Sequence, residues 1–105
     1  MAIQAIEEEE WLRLSRIGPG WDAVLFTTPL CGTCKVAERM LEVADAAGES
    51  ATLYRINLNF APVLRERWQI ESVPCLALVH QGKLMRKEYA MRSVDYLHRM
   101  LRELP

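Results

Sequence analysis

The sequence predicts an α/β fold with a central mixed β-sheet flanked by helices. Three observations carry this. Ala23-Val24-Leu25-Phe26 is a continuous apolar run bounded by turn residues, the pattern of a strand buried on both faces, and Cys75 to His80 is a second apolar strand. Strand and helix spacings alternate early in the chain, which implies a parallel βαβ unit. A late strand-turn-strand around Gln81-Gly82 adds antiparallel partners. With 105 residues, about half of them apolar, the chain suits one modest core, and a single domain over residues 1–105 is expected.

The elements follow in order. Ile3 to Ile6 is a brief strand or a first helical turn, since periodicity cannot separate the two over so few residues. Glu7 to Ser15 reads as a helix with its acidic run in the first turn, as a solvated, dipole-matched start, and Gly18-Pro19-Gly20 ends it. Trp21 to Thr27 is a strand and Thr28-Pro29-Leu30 a loop. From Cys34 to Ala47 the spacing is helical, with Val36, Met40, Val43 and Ala47 on one stripe, Ala37, Leu41 and Ala44 beside it, and Gly48 as the stop. Thr52 to Leu58 is the next strand, and Pro62 opens a short helix running to about Trp68. Ser72-Val73-Pro74 breaks the chain before the strand Cys75 to His80. The charged segment Lys83 to Tyr89 suits an exposed edge strand. Ser93 caps a last helix whose apolar stripe is Val94, Leu97, Leu101 and Leu104.

Composition excludes several classes. Thirteen basic against fourteen acidic residues give a net charge of −1, unlike a nucleic-acid binder. No apolar run approaches the roughly 18 residues needed to span a bilayer, and the first residues do not read as a secretory signal, so a cytoplasmic, monomeric protein is expected. Basic groups near the C-terminus (Lys83, Arg86, Lys87, Arg92, Arg99, Arg102) form either a patch for an acidic partner or a solvated surface. Three cysteines are too few, and odd in number, for a structural disulfide framework.

Two of those cysteines, Cys31 and Cys34, stand three residues apart at a loop-to-helix junction. That spacing brings Cβ atoms within disulfide reach. At a helix N-terminus the macrodipole and backbone N–H groups favour a thiolate at Cys31, whereas Cys34, one turn in, should be buried. The expected cycle has Cys31 attack a substrate disulfide and Cys34 resolve the mixed disulfide that forms. Half of a zinc site has the same spacing, but Cys75, His80 and His98 are not paired as a second half would require. Cys75 reads as a small core residue, a third redox thiol, or a metal or cluster ligand beside Cys31 and Cys34. The two histidines read as surface residues.

With these residues in hand, the chain resembles the thioredoxin superfamily over nearly its whole length. The resemblance rests on Cys31-Gly32-Thr33-Cys34 after a strand ending near Phe26, on Val73-Pro74 before a strand-turn-strand with Gly82 at the turn, and on a C-terminal amphipathic helix. It implies a thioredoxin-like fold and a thiol–disulfide oxidoreductase that needs no cofactor beyond its Cys31–Cys34 pair. It also implies a cis Val73–Pro74 bond facing the dithiol, with Gly32, Thr33, Val73 and Pro74 binding an extended substrate segment. Partners would be disulfide-containing proteins and a reductase or small thiol that recycles the dithiol, with no nucleic acid or membrane. Trp11 and Arg55 fall where the family often has an aromatic and a basic residue.

The departures are specific. Leu30 replaces the usual Trp before the attacking Cys, and Gly32-Thr33 replaces Gly-Pro. Leu25 stands where a buried Asp usually assists proton transfer at the resolving Cys. Leucine accepts no proton, so water reaches Cys34, another group substitutes, or resolution is slow. The alternatives to an oxidoreductase are a binding or regulatory module with weak turnover and a metal- or cluster-binding variant using Cys31, Cys34 and Cys75.

Overall fold

A computed structural model describes residues 3–14, 20–45 and 51–104. In chain order the elements are β1 (Gln4–Ala5), α1 (Glu8–Leu14), β2 (Trp21–Thr27), α2 (Gly32–Ala44), β3 (Thr52–Asn57), a 3₁₀ turn (Leu58–Phe60), α3 (Pro62–Arg67), β4 (Cys75–His80), β5 (Lys83–Glu88) and α4 (Val94–Arg102). They build one mixed sheet in the order β1-β3-β2-β4-β5. β1, β3 and β2 run parallel, while β4 runs antiparallel to both its neighbours, β2 and β5. This is the predicted fold class. The ambiguous N-terminal stretch is a strand, with Gln4 and Ala5 paired to Tyr54 and Arg55.

β2 and β4 lie inside the sheet because they are apolar on both faces. Alternate residues of β2 divide between two cores. Val24 and Phe26 join Trp11 of α1 and Leu64 of α3, and Trp68 closes edge-to-face on both Trp11 and Phe26. Ala23 and Leu25 pack under Ala37 and Leu41 of α2 and Leu97 and Leu101 of α4. Each large side chain so buried contributes about 1.5–3 kcal/mol.

Local chemistry sets the element ends. The Asn57 side chain accepts from the Asn59 N–H at 2.9 Å and turns the chain out of β3, so Leu58 belongs to the 3₁₀ turn and not to the predicted strand. Gln81 (φ 52°) and Gly82 (φ 81°) supply the two positive φ values that a two-residue hairpin between twisted strands demands. α3 ends with Gln69 at φ 52°, where Ile70 N–H bonds Arg65 carbonyl and Gln69 N–H bonds Glu66 carbonyl.

Two further sequence expectations change. α2 begins at Gly32 rather than Cys34, and its buried residues are Cys34, Ala37, Leu41 and Ala44. Val36 and Val43 of the predicted stripe are about half exposed, because the smaller side chains let the helix lie close on the sheet. Ala47 and Gly48 lie outside the described residues, as do Gly18 and Pro19. Second, the acidic run at α1 is not uniformly solvated. Glu8 is buried, and its carboxylate accepts from the Val63 and Leu64 N–H groups at 3.3 and 2.6 Å, capping α3 across the fold.

Candidate active site

Cys31 is the N-cap of α2, with extended backbone (φ −102°, ψ 106°), so its side chain turns back over the helix start. Its Sγ accepts the Cys34 N–H at 3.1 Å and lies 3.3 Å from the Thr33 hydroxyl. The sulfurs of Cys31 and Cys34 are in disulfide contact, with Cα atoms 5.2 Å apart. Access to the two differs. Cys31 is partly exposed, whereas Cys34 retains only 2% of its surface. A thiolate at Cys31 would be met by an N–H at the positive end of a thirteen-residue helix.

The rest of the sequence-derived site lies around the same end of the sheet. Gly32 and Thr33 are exposed in the first turn of α2, and a Cβ built on Gly32 would meet open space. The Val73–Pro74 bond is cis and both residues are partly exposed. Phe26 pairs with Cys75, so Pro74 comes level with Thr27, four residues before Cys31. Leu30, beside Cys31, is 99% exposed, an apolar side chain held in solvent next to the Cys31–Cys34 pair.

Cys75 is not part of this constellation. Its side chain is fully buried in the core between the sheet and helices α1 and α3, among Phe26, Ile56 and Trp68. Burial pushes its thiol up to about 11, against the opposing effects of the Tyr89 hydroxyl and the Lys87 charge. Among the described residues no group of three His, Cys, Asp or Glu side chains is placed to hold a metal ion. His80 stacks on Trp21 with ring centroids 4.9 Å apart, and a His98 ring nitrogen lies 3.0 Å from the Ala44 carbonyl. The basic C-terminal groups are partly engaged: Arg86 bonds Glu88 and Tyr96, and Lys87 bonds the Gln69 carbonyl. No described helix is long and apolar enough to cross a membrane.

Sequence reasoning missed one feature beside the dithiol. A groove of about 640 Å³ opens onto Cys34, lined by Thr27, Thr28 and Pro29, by Lys35 and Glu38 of α2, by Arg55 and Asn57 of β3, and by Phe60. Across it Arg55 Nη1 meets Glu38 Oε2 at 2.8 Å. Arg55 was legible as a basic residue on β3. Its partner was not, although Glu38 follows Cys34 by four residues, the spacing of one helix face.

Leu25 is fully buried, with Leu76 across one ladder and Arg55 across the other. Its neighbours toward α2 are Ala37 and Leu41, so the strand beneath the dithiol brings no acid there.

Comparison with known proteins agrees with this architecture. The chain is 40% identical over 76 residues to the thioredoxin-like protein YusE of Bacillus subtilis, covering 72% of each chain. It is 27% identical over 89 residues to a thioredoxin of Chlamydia caviae, covering 85% of this chain and 87% of that one. Among solved structures, the zinc-bound form of human ERp44 superposes with a TM-score of 0.80 at 19% identity, over 96% of this chain and 30% of that longer one. A designed protein superposes equally well, at 0.80 and 19%, over 98% and 97% of the two chains. The family model for thioredoxin matches residues 22–103, from β2 through α4. The chain therefore belongs to the thioredoxin family of thiol–disulfide oxidoreductases.

Proposed function

We propose that this protein reduces disulfides in other proteins, with Cys31 as the attacking and Cys34 as the resolving thiol. One observation carries the assignment of roles: Cys31 is accessible and sits at the cap of α2 with an N–H on its sulfur, while Cys34 is buried one turn into the helix. The Cys31 thiolate attacks one sulfur of a substrate disulfide and expels the other as a thiol. Cys34 then attacks Cys31 Sγ, releases the second substrate thiol and leaves the Cys31–Cys34 disulfide. Two electrons pass to the substrate, and a reductase or low-molecular-weight thiol, in the cytoplasm on this reading, returns the pair to the dithiol.

Gly32 and Thr33 on one side and Val73 and Pro74 on the other would flank an extended substrate segment, with Leu30 giving it an apolar contact. Proline at 74 removes one backbone donor and fixes the chain there, which leaves the Val73 backbone to pair with the incoming strand.

The test is turnover of a disulfide-linked protein such as insulin by wild type and two variants. Cys31→Ser should abolish reduction, and Cys34→Ser should accumulate a mixed disulfide visible by mass. Trapping by Cys31→Ser instead would reverse the roles. Retained binding of disulfide proteins with no reduction by wild type would favour the binding-module reading, for which the apolar surroundings of Leu25 are the specific support.

A further inference from the structure

We propose that Glu38 is the proton acceptor for Cys34 in the resolving step, with Arg55 as the residue that positions its carboxylate. The inference rests on the dithiol chemistry above and adds the route of its proton. Resolution requires the Cys34 thiolate, yet Cys34 is 2% exposed, and burial disfavours a charged sulfur. A base must therefore reach it.

The side chains around Cys34 leave few choices. On β2 the residues facing α2 are Ala23, Leu25 and Thr27, none of which takes a proton at neutral pH. On α2, Glu38 lies one turn beyond Cys34, a spacing that puts Cβ atoms about 5–6 Å apart on one face. Both line the same groove, whose volume of about 640 Å³ has room for water. The Glu38 side chain keeps 22% of its surface, so it communicates with solvent and can pass a proton on. Arg55, reaching in from β3 at the level of Leu25, holds Oε2 at 2.8 Å and so fixes where the carboxylate points.

The other charged groups are placed differently. Glu8 is committed to the Val63 and Leu64 N–H groups. Glu7 and Glu10 line the groove from the α1 side and are exposed, and Lys35 lines it from α2. Glu42, a further turn along α2, accepts the Ile3 N–H at 3.2 Å. From α4, His98 reaches α2 only at its far end, at the Ala44 carbonyl. Of the two acids on this row of α2, Glu38 is the one a single turn from Cys34 and in the same groove, which Glu42 does not line.

The step balances simply. The Cys34 S–H proton passes to the Glu38 carboxylate, directly or across one water, and the thiolate attacks Cys31 Sγ of the mixed disulfide. The Cys31–substrate S–S bond breaks, the Cys31–Cys34 bond forms, and the departing substrate thiolate takes a proton from Glu38 or from solvent.

The experiment uses the aromatic disulfide DTNB and full-length reduced protein in stopped flow. The first thionitrobenzoate is released by Cys31 attack and the second by Cys34 resolution, so the resolving step is read directly. Glu38→Gln should leave the first phase alone and slow the second about 100-fold at pH 7, with the deficit closing as pH rises to 9 because hydroxide replaces the lost base. Glu38→Asp should restore much of the rate, and Glu42→Gln should match wild type. Thermal unfolding of each variant reports any loss of fold. A Glu38→Gln second phase equal to wild type, or slowed by one constant factor across pH 6–9, would overturn the proposal. A wild type that resolves quickly yet reduces no protein disulfide would count against the proposed function and leave this proton route standing.

Discussion

The burial of Glu8 makes a quantitative prediction about stability. α3 is six residues long and begins with Pro62, which has no N–H, after an N-cap, Ala61, without a side-chain cap bond. The helix N–H groups next in line are those of Val63 and Leu64. Glu8 of α1 takes both, at 3.3 and 2.6 Å, more than fifty residues away in sequence. Hydrogen bonds to a charged acceptor contribute about 1.5–3 kcal/mol and a lost cap costs about 0.5–2 kcal/mol. Glu8→Ala removes both bonds without leaving a buried charge, so a loss of about 2 kcal/mol is expected, on the order of 10 °C in Tm for a domain of this size. Glu8→Gln keeps a carbonyl acceptor but no charge and should lose about 1 kcal/mol. Glu9→Ala is the control. Its ion pair with Arg13 spans 4.0 Å between side chains 69% and 91% exposed, and should contribute less than about 0.5 kcal/mol. Urea unfolding followed by far-UV circular dichroism measures all three. If Glu8→Ala unfolds together with Glu9→Ala, the trans cap does not stabilise the fold.

Three further outcomes follow from the same structure. Cys75, fully buried with its thiol pushed up to about 11, should resist a thiol reagent in the folded protein. Reduced native chain should therefore titrate two thiols and denatured chain three, and rapid native labelling of Cys75 would contradict its placement. Asp22 accepts from Trp11 Nε1 at 3.0 Å, and burial raises its carboxyl above the ordinary 3.8 despite that hydrogen bond. The folded chain thus holds this proton more readily than the unfolded chain, and stability falls as pH climbs from 3.8 through the raised value. Asp22→Asn keeps an acceptor for Trp11 and drops the charge, so it should be at least as stable as wild type at pH 7 and lose that advantage by pH 4. A variant weaker at pH 7 than at pH 4, relative to wild type, would reverse the sign. Finally, Leu25→Asp replaces a fully buried side chain with an unpaired acid and should lower stability by more than about 3 kcal/mol. It should not speed the second DTNB phase. A faster phase would show that Cys34 lacks an acceptor in the wild type.

What the sequence revealed of the fold was set by local pattern. β2 was legible because a strand apolar on both faces has few other ways to read, and β4 because its apolar run stands between the break at Ser72-Val73-Pro74 and the turn at Gln81-Gly82. α4 was legible because Ser93 marks its start and the stripe from Val94 keeps one period; the Ser93 hydroxyl accepts the Tyr96 N–H at 3.0 Å. The α2 stripe was misread for a physical reason. Val36, Met40 and Val43 are the larger apolar residues, but a helix lying close on a sheet buries the smaller face, here Ala37 and Ala44 beside Leu41. The stop of α3 was legible to within a residue, since the helix expected to run to about Trp68 ends at Arg67 with Trp68 as its C-cap, although its left-handed residue is Gln69 where glycine is the usual signal.

The site divides along the same line. Cys31 and Cys34 are neighbours in sequence, and their chemistry depends on a helix start that the surrounding residues announce. Glu38 and Arg55 are seventeen residues apart and meet only because α2 crosses over β3, so neither residue alone signals the pair. That difference bears on how Leu25 is to be understood. A proton acceptor has only to reach the sulfur of Cys34, and two surfaces face it: the strand beneath and the next turn of its own helix. Leucine on the strand removes one of these positions and leaves the other open. On the proposed route the rate of resolution is set by the helix face and the strand taken together, and leucine at position 25 does not by itself imply a slow dithiol.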